Sequence, residues 1–274
     1  MEIEAFMFSI ICVYSNEVIL NKWLLNSLYQ QASKYQLILI DNRSGKYDSA
    51  AKALNQGGAK AKGHYVMFVH QDVYLIGRNW LNKAEQFLDD LSNLGAAGVA
   101  GMCEEGKTNR DRGRNLIFHG PSKEVWSWGN NITEPTEVQT LDEQLLIVPS
   151  EVFARLKFDE ETCIGWHLYG ADYCLTIKRL GLKVFVIPLP IWHLSMGMRL
   201  DTSYFLTLRK MLSKHKNVYD RIYTTTGEWP TRGVENHLRV VLSELHHRVL
   251  NKNPLKITVK RLVKRLLIHS YSKS

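Results

Sequence analysis

The chain has 274 residues, a hydrophobic fraction of 45% and a charged fraction of 23%, the make-up of a globular protein with room for one large domain and an appendage. No apolar run approaches the roughly 20 residues needed to span a bilayer, and the acidic start Met1-Glu-Ile-Glu-Ala5 does not read as a secretory signal. The net charge of +8 is uneven: residues 201–274 hold 15 Lys/Arg against 5 Asp/Glu, so the first 200 residues are slightly acidic and the basicity belongs to the tail.

The first hundred residues alternate strand and helix. Phe6 to Tyr14 is an apolar run of a length and make-up typical of a central parallel strand. Glu17 to Ala32 carries apolar residues at helical spacing. Gln36 to Ile40 predicts a second strand, Ser49 to Lys62 a helix weakened by Gly57-Gly58, and Tyr65 to Val69 a third strand. Trp80 to Leu91 reads as a helix and Ala96 to Met102 as a fourth strand. This order implies an α/β fold with a parallel sheet flanked by helices, and ligands then bind beyond the carboxyl ends of the strands. From Cys103 to Pro135 the pattern fails, as in a functional loop. Two short strands follow between Val138 and Val148, a helix opened by Pro149-Ser150, a helix from Tyr169 to Leu180, and a strand from Leu182 to Ile187. Beyond residue 200 the chain reads as all-helical: 202–214, 234–250 and 255–269. Cys12, Cys103, Cys163 and Cys174 lack CxxC spacing and read as free thiols.

Polar residues gather at the strand ends. Tyr65-Val-Met-Phe-Val-His-Gln-Asp72 leaves a buried strand on an acid. A second acid, Asp172, opens a helix in Gly165-Trp-His-Leu-Tyr-Gly-Ala-Asp172, and His193 ends a later strand. A buried carboxylate needs a partner. A divalent cation on Asp72 and His193, with Asp172 free to accept a proton, accounts for all three. The bland alternatives are a turn cap at Asp72, a helix cap at Asp172 and a satisfied core histidine at His193.

In this order and spacing, Ser15-Asn-Glu17, Asp41-Asn-Arg-Ser-Gly45, His70-Gln-Asp72, Gly170-Ala-Asp172 and His193-Leu-Ser195 resemble the family 2 glycosyltransferases of GT-A fold. The nearer likeness is to the bacterial branch associated with capsule and other surface polysaccharides, and it covers about residues 6–200. The resemblance implies a Rossmann-like, mostly parallel mixed sheet with a helical C-terminal extension. It divides the chain into a catalytic domain (1–200, nucleotide-sugar half to 102, acceptor half 103–200) and a basic extension (201–274). It implies inverting, metal-dependent sugar transfer from a nucleotide-diphosphate sugar, UDP-sugars favoured, to a hydroxyl of a growing surface glycan. In that likeness Asp72 and His193 hold Mn2+ or Mg2+, and Asp172 is the catalytic base. Val13, Asp41, Asn42, Asn55, His70 and Gln71 meet the nucleotide. Asp142, Glu143, Trp166 and His167 meet the sugars, with Trp126 and Trp128 as further candidates to stack on them. Gln71 and Ala171 depart from the family's usual acids, and Asn55 and Gly57 read equally as helix packing. The fragment Thr224-Thr-Thr-Gly-Glu-Trp229 is the one part of the tail that shares the likeness.

The segment 255–269 is basic and amphipathic. It suits either an anionic membrane surface beside a lipid-linked glycan acceptor or packing on the catalytic domain. The expected location is the cytoplasm, peripheral to the inner face of the plasma membrane. A nucleotidyltransferase or a Rossmann dehydrogenase would want a Gly-rich phosphate loop after the first strand, and Ser15-Asn16-Glu17 offers none. A nucleic-acid or membrane binder using the basic tail leaves Asp72, Asp172 and His193 unexplained, so no nucleic-acid partner is expected.

Overall fold

The first apolar run forms the strand Phe8–Tyr14, the second strand from one edge of a seven-stranded mixed sheet. Its neighbours Tyr35–Asp41 and Tyr65–Val69 run parallel to it, as the sequence predicts. Leu145–Pro149 then adds antiparallel to Tyr65–Val69, followed by Leu94–Gly98, Lys183–Val186 and the edge strand Thr136–Glu137. The computed structural model describes residues 6–120, 129–195 and 200–252. Trp126, Trp128 and the segment 255–269 lie outside them.

Strand alternation splits the core into two layers. Phe8, Ile10 and Cys12 face one layer with Met67, Val69 and Ile147, against the helix Trp80–Asp89. Ile11, Val66, Phe68, Leu146 and Val148 face the other, against the helices Ala50–Gly58 and Tyr169–Arg179. All four cysteines are buried free thiols. The helix after the first strand runs Glu17–Leu20, opens into a π-turn at Asn21–Leu25 and closes at Asn26–Leu28. It begins on Asn16, whose side chain caps the Ile19 N–H.

A small second sheet sits at the carboxyl edge. Ile191–His193 pairs with Val73–Leu75 on one side and Ile117–His119 on the other, so His193 lies opposite both Val73 and His119. The stretch expected to be irregular after Cys103 is therefore partly regular. It contains a short helix, Asn109–Arg112, and the strands Gly113–Asn115 and Ile117–His119.

Beyond residue 200 the expectation of helices alone is corrected. The helices Thr202–His215 and Gly233–Lys252 are separated by a hairpin of Arg221–Thr224 with Gly227–Pro230. Leu168, Ala171 and Leu175 share a buried cluster with Tyr204, Leu208, Met211, Ile222 and Trp229, so these elements are fused to the Tyr169–Arg179 helix by a common core. Among the described residues no helix is long and apolar enough to cross a membrane.

Gly57 and Gly58, which weaken the helix on paper, let it lie close to the sheet. A Cβ on Gly58 would stand 2.2 Å from the buried Phe153 ring. Overpacking costs about 1–3 kcal/mol, more than the roughly 0.5–1 kcal/mol that alanine gains over glycine in a helix. Gly58→Ala should therefore lower the melting temperature in a thermal-unfolding scan; an unchanged or raised value would contradict this packing.

Candidate active site

The strand Tyr65–Val69 is buried throughout and releases its chain into His70-Gln71-Asp72. The pairing of Ile191–His193 with Val73–Leu75 brings His193 back over that turn. His70, Asp72 and His193 thereby present ligand atoms within 4.8 Å of one another. His193 Nε2 lies 3.4 Å from Asp72 Oδ1. Asp72 Oδ2 accepts the Ser195 N–H at 3.2 Å, and the Asp72 carbonyl accepts the Leu194 N–H at 3.0 Å. The strand end and the return strand are thus locked at the backbone as well as through the side chains.

Electrostatics agree with this grouping. Burial pushes the Asp72 carboxyl up, but the hydrogen bond from His193 and the charges of His193 and His70 outweigh it and draw it down to about 2. Burial pushes the His70 imidazole down, with His193 adding to that and Asp72 and Asp142 opposing. A neutral imidazole has a lone pair to donate. His70 Nε2 also lies 3.3 Å from the Tyr169 hydroxyl. On the other side of His193, the Gln144 amide nitrogen stands 3.4 Å from Nδ1, while its oxygen is buried without a partner. Turning that amide over places the oxygen on the Nδ1–H, so that a bound cation would replace the Nε2–H that hydrogen-bonds Asp72 and meet the Nε2 lone pair instead. This is how a carbonyl usually orients a ligating histidine. His70, Asp72 and His193 therefore fit a divalent cation.

His70 and Asp72 of the cluster line a cavity of about 470 Å³. Val13, Asn42, Gln71, Trp166, His167 and Tyr169 are among its walls. Of the residues expected to meet the nucleotide, Val13, Asn42, His70 and Gln71 line this cavity. Gln71, where the family's motif departs, is structural as well: its Oε1 accepts the Ser15 and Asn16 N–H groups at 3.0 and 2.9 Å, tying two strand ends together. Asn42 closes its own turn through Tyr47, its Oδ1 accepting the Tyr47 N–H at 2.7 Å. Of the expected sugar contacts, Trp166 and His167 line the cavity, whereas Asp142 and Glu143 do not.

Three expectations are corrected. Asp41 lies outside the cavity walls, its carboxylate held by the Arg43 guanidinium at 2.7 Å, and Arg43 in turn reaches Glu17. Asn55 is a clamp: its amide bonds the Phe158 backbone in both directions, at 2.9 and 3.0 Å, and reaches Glu160 at 2.8 Å. Asp172, expected as the base, is 2% exposed and is not among the cavity walls. Its two oxygens are taken by Lys214 Nζ at 2.7 Å and His215 Nε2 at 2.9 Å. Nor is it the helix cap, because that position is Leu168, which sits at positive φ and offers no side-chain cap. A carboxylate enclosed by the Lys214 ammonium and the His215 imidazole and sealed from solvent is poorly placed to reach a substrate hydroxyl. Sequence reasoning also missed His119, whose ring lies 5.7 Å from that of His193, and Gln144. Their pairing is set by the small sheet and the chain return, which leave no local pattern.

A mixed sheet of this order, with a His–Asp–His cluster and a cavity at its carboxyl edge, is the GT-A class of glycosyltransferase. The pattern of the family described as "Glycosyltransferase like family" matches residues 9–214, and the chain belongs to that family. A curated relative from Fuscovulum blasticum, "ATP synthase subunits region ORF 6", is 26% identical over 186 residues, which cover 67% of this chain and 72% of the relative. Among solved structures, TarS of S. aureus overlays with a TM-score of 0.51 at 15% identity, covering 93% of this chain and 46% of TarS. GalNAc-T7 overlays with a TM-score of 0.56 at 13% identity, covering 93% of this chain and 59% of that one. The chain thus spans about half the length of TarS, and at these identities the likeness to both is one of fold.

Asp172 belongs to the stability of the protein. Breaking a buried ion group by removing one partner costs about 3–5 kcal/mol, because the partner charge is left uncompensated. Asp172→Ala should lower the denaturant midpoint by that order. A variant within about 0.5 kcal/mol of wild type would contradict the assignment.

Proposed function

We propose that the chain transfers a sugar from a nucleotide-diphosphate sugar, a UDP-sugar first among them, to a hydroxyl of a growing bacterial surface glycan, with inversion at the anomeric carbon. The observation that carries this reading is the His70–Asp72–His193 cluster, whose His70 and Asp72 line a cavity walled also by Val13, Asn42, Gln71 and Trp166. Its volume lies within the range of cofactor and ligand sites. The apolar floor at Val13 and the amide of Asn42 suit a base and ribose, and the cluster suits a diphosphate. The structures of TarS 1–349 with UDP-GlcNAc and of GalNAc-T7 with UDP, GalNAc and Mn2+ support the choice of donor class by analogy of fold.

His70, Asp72 and His193 would hold the cation. When bound, a divalent ion supplies charge neutralisation for the leaving diphosphate. Two imidazoles and one carboxylate suit a transition ion such as Mn2+ better than Mg2+, which prefers oxygen ligands. Trp166 and His167 flank the same cavity and would lie against the sugar. The acceptor oxygen attacks the anomeric carbon directly, the bond to the diphosphate breaks with its electron pair, and one displacement gives inversion. In this reading residues 1–200 are the catalytic domain. The extension 201–274 ends in the basic segment 255–269, which holds the enzyme at an anionic membrane on the cytoplasmic side.

A thermal-shift screen of nucleotide sugars with and without Mn2+ tests the donor site. One nucleotide should stabilise the protein in a Mn2+-dependent way, and Asp72→Ala should remove most of that stabilisation; an equal shift in EDTA would contradict the metal role. Deleting residues 255–274 should reduce co-sedimentation with phosphatidylserine vesicles, and undiminished binding would count against the membrane role.

A further inference from the structure

The helix Gly233–Lys252 packs against the rest of the chain along one side. Val240 is 2% exposed and joins the buried cluster of Leu168, Tyr204 and Leu208, and Glu244 pairs with Arg209 of the neighbouring helix at 2.5 Å. Another side of the same helix carries Val234, Leu238 and Leu245, which are 84%, 51% and 52% exposed, with Val241 half-buried between them. Steps of four, three and four residues put these side chains in one stripe, about 17 Å long. Leu206, on the Thr202–His215 helix, is exposed as well. Single exposed leucines are ordinary, whereas an apolar stripe running along a helix marks a contact surface.

The charges nearby decide what that surface meets. From Lys252 the chain continues into residues 253–274, which hold Lys256, Lys260, Arg261, Lys264, Arg265 and Lys273 and no Asp or Glu. In sequence, the same four-and-three spacing of apolar residues recurs at Leu255, Val259, Leu262 and Leu266. The occupant must therefore take up apolar side chains and also neutralise a run of positive charge. The tail folded back on this helix finds no acid to meet it. Glu235 is held by Arg221 and Arg239 at 3.2 and 2.9 Å, Glu244 is held by Arg209, and the later turns of the helix carry Arg248 and Lys252. A second copy docked in parallel would set two positive tails side by side. An anionic bilayer meets both requirements, with acyl chains for the stripe and headgroups for the lysines and arginines. The helix is not apolar enough to cross such a bilayer, so it lies on the surface.

We propose that this stripe is a membrane-contact face, with Val234, Leu238 and Leu245 entering the boundary between the headgroups and acyl chains of an anionic bilayer. The proposal rests on the membrane reading of the tail and extends it to a folded face of the protein. Its consequence is orientation. Val240 ties the helix into the same core as Leu168 and Ala171, and Leu168 directly follows Trp166 and His167 in the cavity wall. The bilayer then holds the cavity in a fixed attitude, and the acceptor presented to it is one carried on the same surface.

All four native cysteines are buried, so a cysteine introduced at the surface of the full chain can be labelled alone. Leu238→Cys carrying an environment-sensitive nitrobenzoxadiazole label is compared with the same label on Lys83→Cys, an exposed position on the Trp80–Asp89 helix. Vesicles of phosphatidylserine and phosphatidylcholine should raise and blue-shift the emission at 238 and leave that at 83 unchanged. The unlabelled full chain with Leu238→Gln and Leu245→Gln together should bind those vesicles at least about tenfold more weakly than wild type. Equal binding overturns the proposal, because charge on the tail is then enough. A wild-type dimer in light scattering that the same pair of substitutions dissolves overturns it in favour of a second copy. A label at 238 that is already blue-shifted without vesicles, and does not respond to them, overturns it in favour of the folded-back tail. Deleting residues 255–274 separates the two readings: binding lost on deletion but kept by the glutamine pair leaves the tail reading standing and removes the stripe. If wild type binds no vesicles, the tail reading fails and the stripe falls with it.

Discussion

Two imidazoles and a carboxylate within 4.8 Å of one another form an arrangement that a protein chain does not adopt by default. Each group loses hydration, and the imidazoles repel whenever both carry protons. The surrounding structure exists to impose this proximity. A buried strand delivers His70 and Asp72, and a second strand returns about 120 residues later, by the numbering, to deliver His193 opposite Val73. Backbone hydrogen bonds from Leu194 and Ser195 to Asp72, and from His70 to Gln144, fasten the two deliveries to each other. The cavity beside them is the space left where the first three parallel strands end.

A second group of charges serves another purpose. Asp172 and Asp159 share Lys214 at 2.7 and 2.8 Å, and His215 completes the group with no exposure of its own. Burial alone would lower the Lys214 ammonium pKa, but the Asp172 and Asp159 carboxylates raise it overall. The group pins the end of the Thr202–His215 helix onto the Tyr169–Arg179 helix, over the shared cluster of Leu168, Leu175, Tyr204 and Leu208. Through that helix and the hairpin behind it, the residues after 200 reach back to Asp142, whose carboxylate accepts the Thr225 hydroxyl.

Much of the catalytic half was legible because its signals are local. The apolar runs at 8–14 and 65–69 are too short for helices and too apolar for loops, and the acids that end them stand out. His193 was legible as a histidine ending a strand, although only the fold pairs that strand with residues 73–75. Asp172 was misread because its partners, Lys214 and His215, lie on another helix 42 and 43 positions on, where basic residues in a last turn look like ordinary dipole complements. Asp41 was misread because Arg43, two residues away, folds back on it. Asn55 reads as a polar residue on a helix until the loop at 158 closes over it. The hairpin at 221–230 was missed because its strands are four residues each and their alternation is hidden among threonines.

The proposed function stands on His70, Asp72 and His193 binding a divalent cation together with a nucleotide diphosphate. Electron paramagnetic resonance of Mn2+ titrated into the protein, with and without UDP, tests it most directly. The account predicts one bound Mn2+ per chain whose affinity rises when UDP is present, and loss of that site in His193→Ala. Mn2+ that stays free at every protein concentration, or binds equally well to His193→Ala, would contradict it.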